Sequence, residues 1–203
     1  MSKQNPSQWE KITAENPEHS KWYIERFRAM AADGQDLAGE ARLIDAMADR
    51  DSRILDAGCG PGRIAGHLHR QGHTVVGVDV DPELIAAAEV DHPGPTYLVA
   101  DLAELDLPAR GVPDPFDLIV CAGNVMTFLA PDTQVNVLDG FARHLAEGGR
   151  AVVGFGAGRG YDFAQFLSDA RSVGLAAQHL LSTWDLRPFT DESGFLVAVL
   201  GRD

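Results

Sequence analysis

The chain is poor in cysteine, in positive charge and in long apolar runs, and each shortage excludes a class. Of 203 residues only Cys59 and Cys121 are cysteines. They do not form a Cys-x-x-Cys pair, so neither a disulfide framework nor a thiolate metal knot is expected, and a reducing cytoplasm is the expected compartment. Lys and Arg total 17 against 30 Asp and Glu, a formal charge of −13. Such a surface repels phosphate backbones, and no Lys/Arg cluster offsets it, so nucleic acid is not expected as a partner. No apolar stretch approaches the length of a membrane span, and no basic-plus-apolar segment opens the chain, so no membrane partner is expected. Internal repeats and low-complexity tracts are also lacking. The seven histidines make no ligand set. His67 and His69 are two apart on a helix and diverge, while Gly72 ends that helix before His73, so no metal is expected. His144 and His179 read as surface or partly buried residues.

What is present is an alternation of short apolar runs and amphipathic segments. Strands are expected near 53–57, 74–79, 95–99, 116–120 and 150–155, with helices at 62–71, 82–89, 131–146 and 161–173. Gly148 and Gly149 read as the C-terminal cap of the long helix. Two apolar stretches follow, 176–185 and 195–201. They are joined without a crossover helix and must therefore run antiparallel. Two helices are expected between Pro17 and Arg50, broken at Ala32–Asp36, and the polar stretch to Glu15 shows little periodicity. The whole reads as one domain, 1–203, with a helical cap over 1–50 and a core over 51–203.

The densest signal is Ile54-Leu-Asp-Ala-Gly-Cys-Gly-Pro-Gly-Arg63. An apolar run ends in Asp56, then Gly58, Gly60 and Gly62 form a turn that leads into a helix. A turn stripped of Cβ atoms lets a ligand lie directly against the backbone. Dinucleotide sites use Gly-x-Gly-x-x-Gly, and here Arg63 occupies the last glycine's place. Asp56 would repel a pyrophosphate but could hold an ammonium group.

ILDAGCGPGR resembles the first motif of the class I S-adenosylmethionine-dependent methyltransferases. Further segments match that family in order: Thr74-Val-Val-Gly-Val-Asp79, Thr96-Tyr-Leu-Val-Ala-Asp101, Phe116-Asp-Leu-Ile-Val-Cys-Ala-Gly-Asn124, and Leu145-Ala-Glu-Gly-Gly-Arg150 ahead of a fifth strand. They span about half the chain. The resemblance implies a doubly wound α/β fold, with a mostly parallel seven-stranded sheet in the order 3-2-1-4-5-7-6, its last strand antiparallel and helices on both faces. It implies S-adenosyl-L-methionine as cofactor. Asp79 would accept from the ribose hydroxyls, and Val80 would lie on the adenine. Asp101 would take its exocyclic amine, while the Leu102 N–H meets a ring nitrogen. Asp56, Gly58, Cys59, Gly60, Gly62, Ala122 and Gly123 would surround the methionine end. Tyr23 and Arg28, on a helix that could close over the methionine, are further candidates, Arg28 at its carboxylate. The plainer alternative makes Trp22 and Phe27 core residues and Arg28 a solvated charge.

The acceptor has no signature. The Asn-Pro-Pro-Tyr/Phe motif of base amine methylation and the Pro-Cys nucleophile of cytosine methylation are both missing. The loops able to form its pocket are short: Asn124–Pro131, Gly156–Tyr161 and Trp184–Phe189, with Tyr161 and Trp184 as flanking aromatics. A small-molecule methyl acceptor is expected, with attack through O, N or C. Neither a general base nor an oligomeric state follows from the sequence. Competing readings are a non-catalytic cofactor-binding regulator, an aminopropyl transferase and an NAD-dependent oxidoreductase, the last lacking a Tyr-x-x-x-Lys pair.

Overall fold

The computed structural model describes residues 5–202. Three helices come first: α1 (Gln8–Glu15), α2 (His19–Ala32) and α3 (Gly39–Met47). Strand and helix then alternate through β1 (Arg53–Ala57), α4 (Arg63–Arg70), β2 (Thr74–Asp79), α5 (Pro82–Asp91) and β3 (Thr96–Val99). Two single 3₁₀ turns lead to β4 (Phe116–Cys121), the short α6 (Val125–Phe128), α7 (Gln134–His144) and β5 (Leu145–Gly156). The described chain closes with α8 (Phe163–Ser172), β6 (Leu175–Leu181) and β7 (Phe195–Arg202). All seven strands form one sheet in the order β3-β2-β1-β4-β5-β7-β6. The first five are parallel, and β7 runs antiparallel between β5 and β6. This is the expected topology.

The pleat sorts the apolar runs into two cores, because successive side chains on a strand point to opposite faces. Leu55, Val76, Ile119 and Val153 face one side, where α7 and α8 cover them with Phe141 and Phe166. Ile54, Val75, Leu118 and Val152 face the other, under Ile44 of α3, Leu68 of α4 and Ile85 of α5. With helices packed on both faces, the sheet leaves its strand ends for ligand binding, and in such folds the carboxyl ends carry the site.

Four local expectations fail. The segment before Glu15 is helical. Ser7 and Glu10 form a capping box, the Ser7 Oγ accepting from the Glu10 N–H while a Glu10 carboxylate oxygen takes the Ser7 N–H. The long helix ends at His144, and Gly148 and Gly149 do not cap it. Both lie inside β5, in an irregularity where Phe116 pairs with Leu145 and Leu118 with Arg150. Gly148 takes a φ of +74°, and a Cβ on Gly149 would stand 3.0 Å from the Phe116 carbonyl. The stretch 176–185 leaves the sheet at Leu181, where the Ser182 N–H turns back to the Arg187 carbonyl at 2.8 Å. Finally, His144 is fully buried. Its Nδ1 faces the Gly140 carbonyl at 2.7 Å, and its Nε2 accepts from the Leu107 N–H at 3.2 Å. His73, also buried, pairs with Asp45 at 3.0 Å. No described helix is long and apolar enough to cross a membrane.

Candidate functional site

A cavity of about 460 Å³ opens at the carboxyl edge of the sheet. The ends of β1 to β4 floor it with Gly58, Cys59, Gly60, Asp79, Val80, Asp101, Leu102, Ala122 and Gly123. Ten of the thirteen residues expected from the sequence thus line a single cavity, Tyr23 of α2 being the tenth.

The glycine turn is built by what a side chain would strike. Gly58 has a φ of +80°, and a Cβ there would fall 2.4 Å from Val125 Cγ2 of α6. A Cβ on Gly60 would lie 3.8 Å from Tyr23 Cε1, so the aromatic ring sits over the bare backbone with the turn as its floor. The Gly58 and Cys59 N–H groups bond the Val78 carbonyl at 2.8 and 3.0 Å, joining the turn to β2.

Asp79, at the end of β2, is nearly buried. Its Oδ2 accepts from the Gly60 N–H at 2.9 Å and its Oδ1 from the Asp81 N–H at 3.0 Å. Burial raises its pKa to about 6, although these two donors pull it back down. Each oxygen keeps unused acceptor capacity toward the cavity. Asp101 is half-exposed at the end of β3 and holds the following turn through the Ala103 N–H at 2.9 Å. Two carboxylates behind a glycine turn oppose a pyrophosphate. They suit a ligand with neutral hydroxyl and amine donors and a positive sulfonium end, as S-adenosylmethionine has.

Three of the thirteen, Asp56, Gly62 and Arg28, do not line the cavity. Asp56 does not reach the cavity: it is buried behind the turn, where its Oδ2 accepts from the Ala65 N–H at 3.0 Å. Gly62, at the N-cap of α4, has no side chain to offer, so Asp56 supplies the missing cap from the neighbouring strand. Burial, partly opposed by the Arg63 charge, raises the Asp56 pKa to about 7. Gly62 is a packing residue, since a Cβ there would come within 2.8 Å of both Ala88 Cβ and Tyr97 Oη. Arg28 turns away from the cavity and forms a two-bond ion pair with Asp91 at 2.8 and 3.0 Å.

Arg26 lines the cavity instead, three residues beyond Tyr23 and on the same helix face, with its guanidinium 5.7 Å from the Trp22 ring. Trp22 itself is exposed, and Phe27 lines the cavity, so neither is a core residue. Arg63 also faces the cavity. It is fastened to Glu40 by two bonds and to the Leu37 carbonyl at 2.8 Å, and it stacks 5.6 Å from the Phe27 ring centre.

The mouth is made by the N-terminal helices and the loop after β4. Ser7 and Trp9 enter from α1, and Phe128 and Leu129 from α6 and beyond. Trp9 packs edge-on against Tyr23 and Phe128, with ring centres 5.3 and 6.1 Å apart. Its Nε1 donates to Asp81 Oδ2 at 2.7 Å, and the Ser20 hydroxyl donates to the same oxygen. The other Asp81 oxygen caps α5 through the Glu83 and Leu84 N–H groups.

From the loop after β5 only Arg159 reaches the cavity. Tyr161 is buried against Phe155, its hydroxyl on Asp169 at 2.8 Å, and Trp184 fills the space over Gly154. Neither lines the cavity, and the loop Trp184–Phe189 does not contribute. Sequence reasoning missed Ser7, Trp9, Arg26, Phe128 and Arg159. The Ser7-x-x-Glu10 capping signature would have revealed α1, and the three-residue spacing from Tyr23 would have favoured Arg26.

The described family "Methyltransferase domain" matches residues 54–149. A TehB-like SAM-dependent methyltransferase from Corynebacterium glutamicum, known from its crystal structure, is 51% identical. It superposes with a TM-score of 0.87 over 93% of this chain and 100% of its own. The ubiquinone biosynthesis O-methyltransferase of Xylella fastidiosa is 38% identical over 105 residues, 50% of this chain and 41% of that protein. The magnesium-protoporphyrin O-methyltransferase of Rhodobacter capsulatus is 36% identical over 85 residues, 39% of this chain and 35% of that one. The chain thus spans about two fifths or less of the length of these two curated relatives.

Proposed function

The chain belongs to the S-adenosylmethionine-dependent methyltransferases, and on that premise we propose that it methylates a small-molecule acceptor in the cytoplasm, bound at the mouth formed by α1, α2 and the loops after β4 and β5. The observation that carries this reading is the continuity of one cavity. Its acid-ended floor runs without a partition into an apolar mouth of Trp9, Phe27, Phe128 and Leu129. No long insertion widens that mouth into a surface for a macromolecule, and the −13 charge disfavours nucleic acid. The helices before Arg50 act as a cap on the core, within one domain.

Bound S-adenosylmethionine supplies a methyl group already activated by its sulfonium charge. The chain's own part is to hold and align. Asp79 accepts from the ribose hydroxyls, Asp101 and the Leu102 N–H read the adenine edge, and Val80 lies against its face. Gly58, Gly60, Ala122 and Gly123 leave room for the methionine portion. Tyr23 and Arg26, rather than Arg28, meet its carboxylate. Trp9 and Phe128 exclude water from the reacting end. Alignment of this kind can lower a barrier by about 7–11 kcal/mol when the reacting atoms are well oriented.

Calorimetric titration tests the reading. Micromolar binding of S-adenosylhomocysteine and none of NAD is expected, followed by transfer of labelled methyl from S-adenosylmethionine to a member of a panel of small carboxylates, phenols and amines. Transfer confined to protein or nucleic-acid acceptors would overturn it.

A further inference from the structure

The charged groups lining the cavity are unevenly distributed. Asp79 and Asp101 stand at the ends of β2 and β3, on the far side of the glycine turn from β5. Arg63 is neutralised by Glu40. Arg26 shares its helix face with Tyr23, whose ring covers Gly60 at the end of β1. Among the described charged residues that line the cavity, only Arg159 stands on the β5 side. Among the described residues it has neither an ion pair nor a hydrogen bond, although acids outnumber basic residues 30 to 17 in this chain. Its loop is tied to the end of β4, because the Gly156 N–H donates to Asn124 Oδ1 at 2.8 Å. A Cβ on Gly156 would lie 3.3 Å from Arg159 Nε and 3.5 Å from Asn124 Oδ1, so the guanidinium lies beside the β4 terminus.

Among the described residues, the same end of the cavity has no group able to take a proton. No histidine lines it. Asp79 and Asp101 are on the opposite side, each accepting from the backbone. The Cys59 thiol is buried under the turn, and Tyr23 is half-buried over it; burial pushes both away from ionisation. An acceptor hydroxyl or ammonium arriving there would meet no protein group to take its proton.

Resting on the methyltransferase reading above, we propose that the acceptor is a small organic carboxylate, taken up as its anion and held by Arg159 beside the end of β4. A planar guanidinium matches a carboxylate in geometry and charge, and the apolar walls of Phe128 and Leu129 suit an organic body. The step then balances without a base. A carboxylate oxygen forms the new O–CH₃ bond with its own lone pair, and the C–S bond breaks with its electrons staying on sulfur. A methyl ester and a neutral thioether result, and no proton is released.

The experiment uses the protein loaded with S-adenosylhomocysteine, whose own affinity is measured first. If that ligand fails to bind, the methyltransferase reading fails, independently of the acceptor. The loaded protein is then titrated with benzoate, phenylacetate and indole-3-acetate, each beside its amide. At least one acid should bind at least tenfold more tightly than its amide. Arg159→Gln should remove that preference while leaving S-adenosylhomocysteine affinity within about twofold. Arg159→Lys should restore part of it, and Arg171→Gln, on the exposed face of α8, should change neither. Equal binding of acids and amides, binding of none of the acids, or an undiminished preference in Arg159→Gln would overturn the assignment.

Discussion

At the β2 end of the cavity both oxygens of Asp79 are fixed by backbone N–H groups, whereas at the β5 end Arg159 has no partner among the described residues. The first region is pre-organised. Its carboxylate is oriented by the chain before any ligand arrives, and the turn in front of it admits no side chain at Gly58. The second region is a charge held on a short loop above apolar walls. On the proposed reading, groups that every cofactor-dependent turnover needs are built into strand ends, while the group that chooses among acceptors sits on a connection that can vary without disturbing the sheet.

The largest effect should come from breaking the ordered end. Asp79→Ala removes the proposed ribose acceptor and releases the Gly60 and Asp81 N–H groups together. Charge-assisted bonds are worth about 1.5–3 kcal/mol each, so S-adenosylhomocysteine affinity should fall about 100-fold by calorimetry. An unchanged affinity would mean that β2 does not carry the ribose site.

A change of pH should sharpen the contrast, because the two ends differ in what titrates. Asp79 must be ionised to accept from two hydroxyls, and its pKa is raised to about 6. Cofactor affinity should therefore weaken about tenfold between pH 7.5 and pH 5, and Asp79→Asn should be weak but flat across that range. Stability of the free protein moves the other way. Asp56 and Asp79 have folded pKa values of about 7 and 6, above the ordinary carboxylate value of 3.8. The folded chain thus holds more protons than the unfolded one in that window. Their contribution is fully present below about pH 4 and is lost as pH rises through 6 and 7. Acid that loosens the cofactor should raise the contribution of these two residues to the melting temperature, and the Asp79→Asn difference isolates one of them.

The mildest substitution is at the cap. Trp9→Phe keeps the ring and deletes the 2.7 Å bond to Asp81. One N–H bond to a carboxylate, at the low end of about 1.5–3 kcal/mol, corresponds to a loss of cofactor affinity of about tenfold, with little change in global melting. A loss as large as that of Asp79→Ala would show that cap and floor form one unit.

The sheet was legible in the sequence because five strands end in motifs whose order and spacing match one family, and parallel central strands read as unbroken apolar runs. The cap was less legible for reasons of geometry. On a helix, Arg26 lies 60° around from Tyr23 and Arg28 about 140°, so the rotation decides which arginine faces the cavity. Asp56 looked like a ligand group because sequence shows that an acid precedes the turn, not which side of the turn its carboxylate occupies. Tyr161 and Trp184 flank the active edge in sequence but fill space over Phe155 and Gly154 in the core. Nothing in a linear reading announces Arg159, whose meaning comes from the absence of a partner in space.

The Asp81 carboxylate receives four donors: Trp9 Nε1 and the Ser20 hydroxyl on one oxygen, the Glu83 and Leu84 N–H groups on the other. Asparagine has the same shape but turns one of those acceptors into an NH₂ group that would meet donors head-on. Glutamate keeps both acceptors but displaces them by a methylene. Position 81 therefore has no neutral substitute, and in this architecture the helical cap and the cofactor strand cannot drift apart in sequence one residue at a time.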